Sequence, residues 1–369
     1  MTSPAVPVES LDVAVYTVPT DAPEADGTLA WSSTTLVVAS PVAGGHRGLG
    51  WSYTGAAAKT LIDDTLGEVV VGRCAMDVPG TFEAMVRQVR NLGRPGLVST
   101  AISAVDIALW DLKAKLLDLP LCRLIGTVHA RVPVYGSGGF TSYDEQQTRD
   151  QLAHWVHDLD IPRVKIKIGE SWGSRERRDI DRIALAREVI GPDAELFVDA
   201  NGGYTVGQAI RMADRFAAYD VRWFEEPVSS DDLEGLAAIR REVRPDVAAG
   251  EYGYDPVYFA RMVDADAVDC LQVDATRCGG VTEFLRAAAV AAARNLQVSA
   301  HCAPNLHAHP ASCVPNLRHV EYFHDHVRIE EMLFSGALPP QNGVLVPDTG
   351  RPGLGLELRV RDAEPYRIA

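Results

Sequence analysis

From Val132 onward the hydrophobic pattern settles into a repeating unit: a short run rich in β-branched residues, a polar or glycine-containing turn, then apolar positions at helical spacing. Eight such runs can be marked: Val132–Ser137, Val164–Gly169, Leu196–Asn201, Val221–Pro227, Val247–Gly253, Cys270–Thr276, Val298–Ala303 and Arg318–Phe323. Strands that alternate with helices predict an α/β class with a parallel sheet, and eight units of this kind predict a modified (β/α)8 TIM-like barrel over residues 131–335. Residues 1–130 read as an N-terminal α+β capping domain, with strand-like runs at Leu11–Val18 and Thr34–Ala39 and helical periodicity at Ala56–Val71, Thr81–Asn91 and Thr100–Leu117. Between the two strands, Pro19–Ser33 is rich in Pro, Asp, Glu and Gly and reads as a mobile loop. The last segment, residues 336–369, is rich in Pro and Gly and is expected to pack back on the capping domain.

Composition narrows the partners. Over 369 residues, Lys+Arg number 35 against Asp+Glu 50, a formal net charge of −15, so the basic footprint of a nucleic-acid or anionic-membrane binder is missing. An anionic substrate must then be held by a local positive site. The longest apolar run, Ala287–Ala293, is far too short for a membrane span, and Met1–Pro7 has neither the basic start nor the apolar core of a signal peptide. The six cysteines form no C-x-x-C pair, as expected of reduced thiols, and together these points place the chain in the cytoplasm.

In parallel barrels the chemistry sits at the C-terminal ends of the strands. Here those ends are almost all ionisable: Lys165 and Lys167, Asp199 and Asn201, Glu225 and Glu226, Glu251, Asp274, His301 and Glu321. Asp199, Glu225 and Glu251 follow one another at intervals of 26 residues, one β/α unit each, so they converge. Three converging carboxylates repel one another unless a divalent cation neutralises them, and an all-oxygen set with open positions suits Mg2+, one per subunit. Independent ion pairs to the barrel helices are the alternative.

In V-K-I-K-I-G, Val164–Gly169, a period of two puts Lys165 and Lys167 on one face. Lysine alternating with isoleucine also describes a half-solvated strand, but barrel strands are covered on both faces. Two adjacent lysines lower each other's pKa, which moves one toward the range of a general base. Asp274 and His301 lie 27 residues apart, again one unit, so a carboxylate can fix the imidazole tautomer and tune it as an acid/base. The stretch from His301 through His307 to His309 invites comparison with a zinc site, but the carboxylate trio already supplies a hard-cation site. His319, His324 and His326 read as surface or structural residues.

With these residues in hand, the chain resembles the enolase superfamily, specifically its mandelate racemase-like subgroup. The motifs that carry the resemblance are A-L-W-D-L-K-A-K at Ala108–Lys115, K-I-K at Lys165–Lys167, V-D-A-N-G-G-Y at Val198–Tyr204, F-E-E-P at Phe224–Pro227, G-E at Gly250–Glu251, Q-V-D-A-T-R-C-G-G at Gln272–Gly280 and H-C-A-P-N-L-H at His301–His307. The resemblance implies that Asp199, Glu225 and Glu251 ligate Mg2+, and that Lys167 and the His301–Asp274 pair are bases on opposite faces of a small carboxylate substrate. It further implies that Lys165 binds the substrate carboxylate, that Glu321, if protonated, hydrogen-bonds the developing enediolate, and that the chain assembles as a homo-oligomer.

The step that the superfamily shares is removal of the proton α to a carboxylate, by a Lys or His base working with Mg2+. With a β-hydroxyl to expel, the outcome is a 2-keto-3-deoxy acid, and a Mg2+-dependent dehydratase of an aldonate or aldarate is the favoured reading. Returning the proton would make a racemase or epimerase, internal attack a cycloisomerase, and loss of chemistry a silent member of the fold. The early loop carries Thr20, Asp21, Glu24, Asp26 and Thr28, which offer hydrogen bonds to a polyol. Thr20, Asp21, Asn201 and Ser137 are the candidate substrate contacts beside Lys165 and Glu321.

Overall fold

The computed structural model describes residues 6–369; of the Met1–Pro7 stretch discussed above, the first five residues lie outside that range. The chain opens with a long hairpin of β1 (Ser10–Ala25) and β2 (Ala30–Ala43), joined by antiparallel pairing to β3 (His46–Arg47) and β4 (Gly50–Tyr53). Pro19–Ser33 is therefore not a loop, as its composition suggested, but mostly the far half of this hairpin. Pairing runs from Pro19↔Ser33, across one register shift, to Glu24↔Trp31 and Ala25↔Ala30. The turn is set by Asp26 Oδ1, which accepts from the backbone N–H of Thr28 and Leu29 at 2.6 and 2.7 Å. This half reads as polar because β1 alternates there between exposed and half-buried positions, with Glu24 turned inward.

Behind the sheet lies the Leu97–Leu116 helix, buried on nearly every side because it is wedged between the capping sheet and the barrel helix Gly280–Ala292. Asp106 ties it to that helix by accepting from Thr282 N and Oγ1 at 3.0 and 2.7 Å. Gly50 permits the approach: a Cβ there would sit 2.3 Å from Ala108 N and 2.4 Å from Ala104 O. Gly50→Ala is expected to cost at least the roughly 1–3 kcal/mol of an overpacked core, because backbone rather than a movable side chain is in the way. A thermal melt of the variant checks this.

The barrel comprises β5 (Val132–Gly138), β6 (Arg163–Lys167), β7 (Glu195–Asp199), β8 (Val221–Glu225), β9 (Asp246–Ala249), β10 (Cys270–Val273), β11 (Gln297–Ala300) and β12 (Leu317–Phe323). All are parallel, each pairs with the next, and β12 closes on β5. On β6, Val164 and Ile166 join the large apolar core outside the barrel. Inside, Tyr135, Phe197, Trp223, Ala248 and Cys270 form a separate layer, into which His319 also packs. This layer is the floor of the site.

Past the barrel come β13 (Phe334–Ser335), β14 (Val344–Leu345), which pairs with β5, and β15 (Glu357–Leu358), which pairs with β13. Leu354 N donates to Asp111 Oδ1 at 2.7 Å and Ile368 N to Val15 O at 2.8 Å, so these residues touch both barrel and capping domain. Among the described residues no helix is long and apolar enough to cross a membrane.

Candidate active site

Register decides where the charged strand ends meet. Lys167 on β6 is paired with Asp199 on β7, and Asp199 with Glu225 on β8, so all three stand at one level above the aromatic floor. Glu251 follows β9 at the same mouth. Asp199, Glu225 and Glu251 are buried, and each can offer an oxygen within 4.8 Å of the others.

The surrounding groups now balance the trio. Lys167 Nζ donates to Asp199 Oδ2 at 2.5 Å; Lys165 Nζ bonds Glu225 Oε1 and lies 3.7 Å from Asp199 and 2.8 Å from Glu321. Asp199 also accepts from Asn201 N at 2.9 Å, and Glu225 from Trp223 Nε1 at 2.8 Å. Burial and the nearby Asp199 push Glu225 up to about 8 despite Lys165. Burial raises Asp199 too, but Lys167 and Lys165 outweigh it and hold this carboxyl below its ordinary range. Lys165 does lower Lys167, but the expected net shift toward the range of a general base is corrected here. Burial pulls both down, yet the carboxylates facing them more than reverse it, and both lie above the ordinary lysine value.

The arrangement fits a hard divalent cation. It supplies three buried carboxylates, and Glu251 Oε2 has no hydrogen-bond partner although its other oxygen accepts from Arg277 at 3.0 Å.

Three strands round the barrel from Lys167 stands His301, its Nδ1 2.8 Å from Asp274 Oδ2. Asp274 also accepts from Thr276 N and Oγ1, both at 2.7 Å, which fixes it. Burial disfavours the imidazolium, but Glu251, Glu321 and Asp274 outweigh burial and raise His301 above its ordinary value. Glu321 is held well below the carboxylate range: burial opposes this, and Lys165 and His301 overcome it. It is thus an ionised acceptor, taking bonds from Ser137 Oγ at 2.6 Å and Cys302 N at 3.2 Å, and the protonation on which its implied donor role depends is disfavoured here. Ser137 is spent on that bond and buried beneath the site.

Lys167, Asn201, Glu251 and His301 line an open cavity of about 390 Å³ that the hairpin borders on one side. A neighbouring cavity of about 670 Å³ shares Asn201 and Tyr252 with it and is lined by Glu226 and Tyr258. Glu226 reaches this side because its φ is +36°, which turns it away from Glu225.

The hairpin meets the site differently from the reading of its composition. Thr20 and Asp21 do not line the cavity, and Asp21 instead bonds His324 Nε2 at 3.0 Å. The residues facing it are Asp26, Leu29, Trp31, Ser33, Thr34 and Thr35. His307 and His309 do not converge with His301: His307 Nε2 accepts from Ala275 N at 2.9 Å, and His309 Nδ1 from Cys122 N at 3.3 Å. His326 is not a surface residue, since it stacks on Tyr53 at 3.4 Å between ring centroids and lines the cavity.

The most informative residue missed is Arg277, which reaches Glu251 at 3.0 Å and Asp274 at 3.5 Å and lies over the Tyr252 ring. It stands within the D-A-T-R-C-G-G motif, but one helical turn past the strand end it is invisible to a reading of strand ends alone.

Glu24 seats the hairpin. It is 1% exposed and accepts from Trp31 Nε1 at 2.8 Å, while burial and Asp325 push it up to about 8 from an ordinary 4.5. An acid whose folded pKa is raised binds more protons folded than unfolded between those values. Stability therefore falls as pH rises from about 4.5 to about 8 and levels off above. Glu24→Gln is expected to flatten this part of the profile, as read from melting temperatures across that range.

Comparison with known proteins gives the family. Residues 13–126 match the mandelate racemase/muconate lactonizing enzyme N-terminal domain, and residues 147–363 the enolase C-terminal domain-like family. A 3,6-anhydro-alpha-L-galactonate cycloisomerase of Streptomyces coelicolor is 34% identical over 281 residues, 75% of this chain and 77% of that protein. An L-talarate/galactarate dehydratase of Salmonella typhimurium is 31% identical over 288 residues, 76% of this chain and 70% of that protein. A mandelate racemase/muconate lactonizing enzyme-like protein from Rubrobacter xylanophilus superimposes with a TM-score of 0.95 at 46% identity, covering 98% of this chain and 99% of its own. A racemase from Streptomyces coelicolor solved with bound magnesium gives 0.92 at 30% identity, covering 98% and 100%. On its matched domains, its closed barrel and its antiparallel cap, the chain belongs to the mandelate racemase/muconate lactonizing enzyme family of the enolase superfamily.

Proposed function

We propose that the protein is a Mg2+-dependent dehydratase of a sugar acid, an aldonate or aldarate, that yields a 2-keto-3-deoxy acid. The observation that carries this reading is one cavity with Lys167 on one side, the His301–Asp274 pair on another, and the carboxylate trio at the same mouth. Held by Asp199, Glu225 and Glu251, Mg2+ would neutralise the carboxylates that now raise the lysines and supply positive charge to the substrate carboxylate.

The chain's own groups do the rest. Lys165, wholly buried among carboxylates, offers its ammonium to the substrate carboxylate. Lys167, once relieved of Asp199, takes the proton from C2. His301, raised and therefore able to carry a proton near neutrality, delivers it to the C3 hydroxyl, which leaves as water. The resulting enol tautomerises to the ketone. Asp274 keeps His301 in one tautomer. Glu321 orients Lys165 and becomes a donor to the enediolate only if it takes up a proton. Ser33, Thr34, Thr35 and Asn201 are the cavity's polar contacts for substrate hydroxyls, in place of Thr20 and Asp21.

A second reading, cycloisomerisation of a sugar acid, is favoured by the 34% identical relative, which is a cycloisomerase. Proton NMR in D2O with Mg2+ and a panel of aldonic and aldaric acids and their anhydro and lactone forms separates the two. A new C3 methylene signal with loss of substrate supports dehydration, and an isomer of unchanged composition supports cycloisomerisation. No change across the panel would overturn both.

A further inference from the structure

One donor set at this mouth is used neither by Mg2+ nor, as a set, by the proton transfers. Cys302 Sγ lies 3.2 Å from His301 Nε2 and 3.5 Å from Glu321 Oε2, and those two atoms are 3.7 Å apart. All three side chains are buried, and Cys302 has a left-handed backbone, φ +54°. The six cysteines are all free, and among the described residues Cys302 is the one that belongs to a cluster able to hold a metal.

The chemistry of this set differs from that of the trio. Nitrogen, sulfur and one carboxylate oxygen are the donors chosen by borderline-soft ions of the Zn2+ kind, whereas Mg2+ takes oxygen. With bonds of about 2.0–2.3 Å, a tetrahedral ion has ligand-to-ligand edges of about 3.3–3.7 Å. The observed separations of 3.2, 3.5 and 3.7 Å span that range, so an ion could enter with shifts of a few tenths of an ångström. The neighbours are suited to it as well. Asp274 takes the Nδ1 side of His301 and leaves Nε2 for a metal, the carboxylate–histidine arrangement usual behind zinc ligands.

We propose that His301, Cys302 and Glu321 form a second cation site, selective for Zn2+-like ions, whose occupation blocks the proton-transfer nitrogen of His301. Three bonds form, to Nε2, Sγ and a Glu321 oxygen. The thiol proton is lost to solvent, and nothing is oxidised or reduced. Mg2+ stays at the trio, so the ion inhibits without replacing it.

The test is a Co2+ titration of the protein already saturated with Mg2+, followed by displacement with Zn2+. Co2+ bound through sulfur gives a near-ultraviolet charge-transfer band that no all-oxygen site produces. The band is expected to saturate at one equivalent, to vanish on Zn2+ addition, and to be absent in Cys302→Ala. Zn2+ affinity in that variant should fall by more than the roughly 10–100-fold that loss of an outer-shell partner costs. Asp199→Ala should keep the band. Mg2+-dependent thermal stabilisation of Cys302→Ala controls for folding, and Cys302→Ser gives the same readout if the alanine variant is unstable. Absence of the band in the wild type, its persistence in Cys302→Ala, or its loss in Asp199→Ala alone would each overturn the proposal. None of these readouts uses turnover, so this proposal and the dehydratase reading fail separately.

Discussion

Lys167→Ala is expected to lower turnover by about 10²–10⁴-fold and to abolish exchange of the C2 proton with solvent, the range typical of a lost general base. His301→Asn should lose turnover to a similar extent yet keep C2 exchange, because Lys167 still removes the proton while nothing protonates the leaving hydroxyl. The two variants are thus distinguished by which half of the reaction survives. The same D2O experiment reads both, with substrate loss and C2 signal followed together. For a substrate of opposite C2 configuration the roles of the two residues exchange, and so does the pattern. Turnover at the wild-type rate in both variants would show that neither residue carries the proton.

Mg2+ should raise the melting temperature of the wild-type protein, and Asp199→Ala should remove that rise. Binding at a hundred times the dissociation constant adds about 2.7 kcal/mol of stability. The comparison must be made with and without Mg2+ within each variant, since removing Asp199 also strips Lys167 of its 2.5 Å partner and Lys165 of a carboxylate 3.7 Å away. An Asp199→Ala protein that gains as much from Mg2+ as the wild type would place the cation elsewhere.

The site was largely legible along the chain because barrel geometry converts sequence spacing into position. Carboxylates 26 residues apart stand at three successive strand ends, and the parallel register brings Asp199 and Glu225 side by side. The same logic placed Asp274 beside His301 across one unit. Lysines on one face of β6 could be read from a period of two, because the strand has no wet face on which they could point outward.

Other features depended on contacts between distant segments. Pro19–Ser33 has the composition of a loop, but antiparallel pairing on both sides of one register shift orders it as a hairpin, and Trp31 Nε1 donates to the one carboxylate that turns inward. Arg277 gains meaning only from lying between Glu251 and Asp274, which come from different units. His326 becomes part of the cavity because Tyr53 of the capping domain stacks on it.

The chain by itself determined the barrel, the order of its charged strand ends and the residues that converge there, because these follow from the local periods of strand and helix repeated eight times. Only the tertiary structure decided the charge states of the lysines and Glu321, which residues of the hairpin line the cavity, and that a thiol stands 3.2 Å from the imidazole. Those outcomes depend on distances between groups far apart in sequence, and electrostatic and coordination energies change steeply over the last few ångströms.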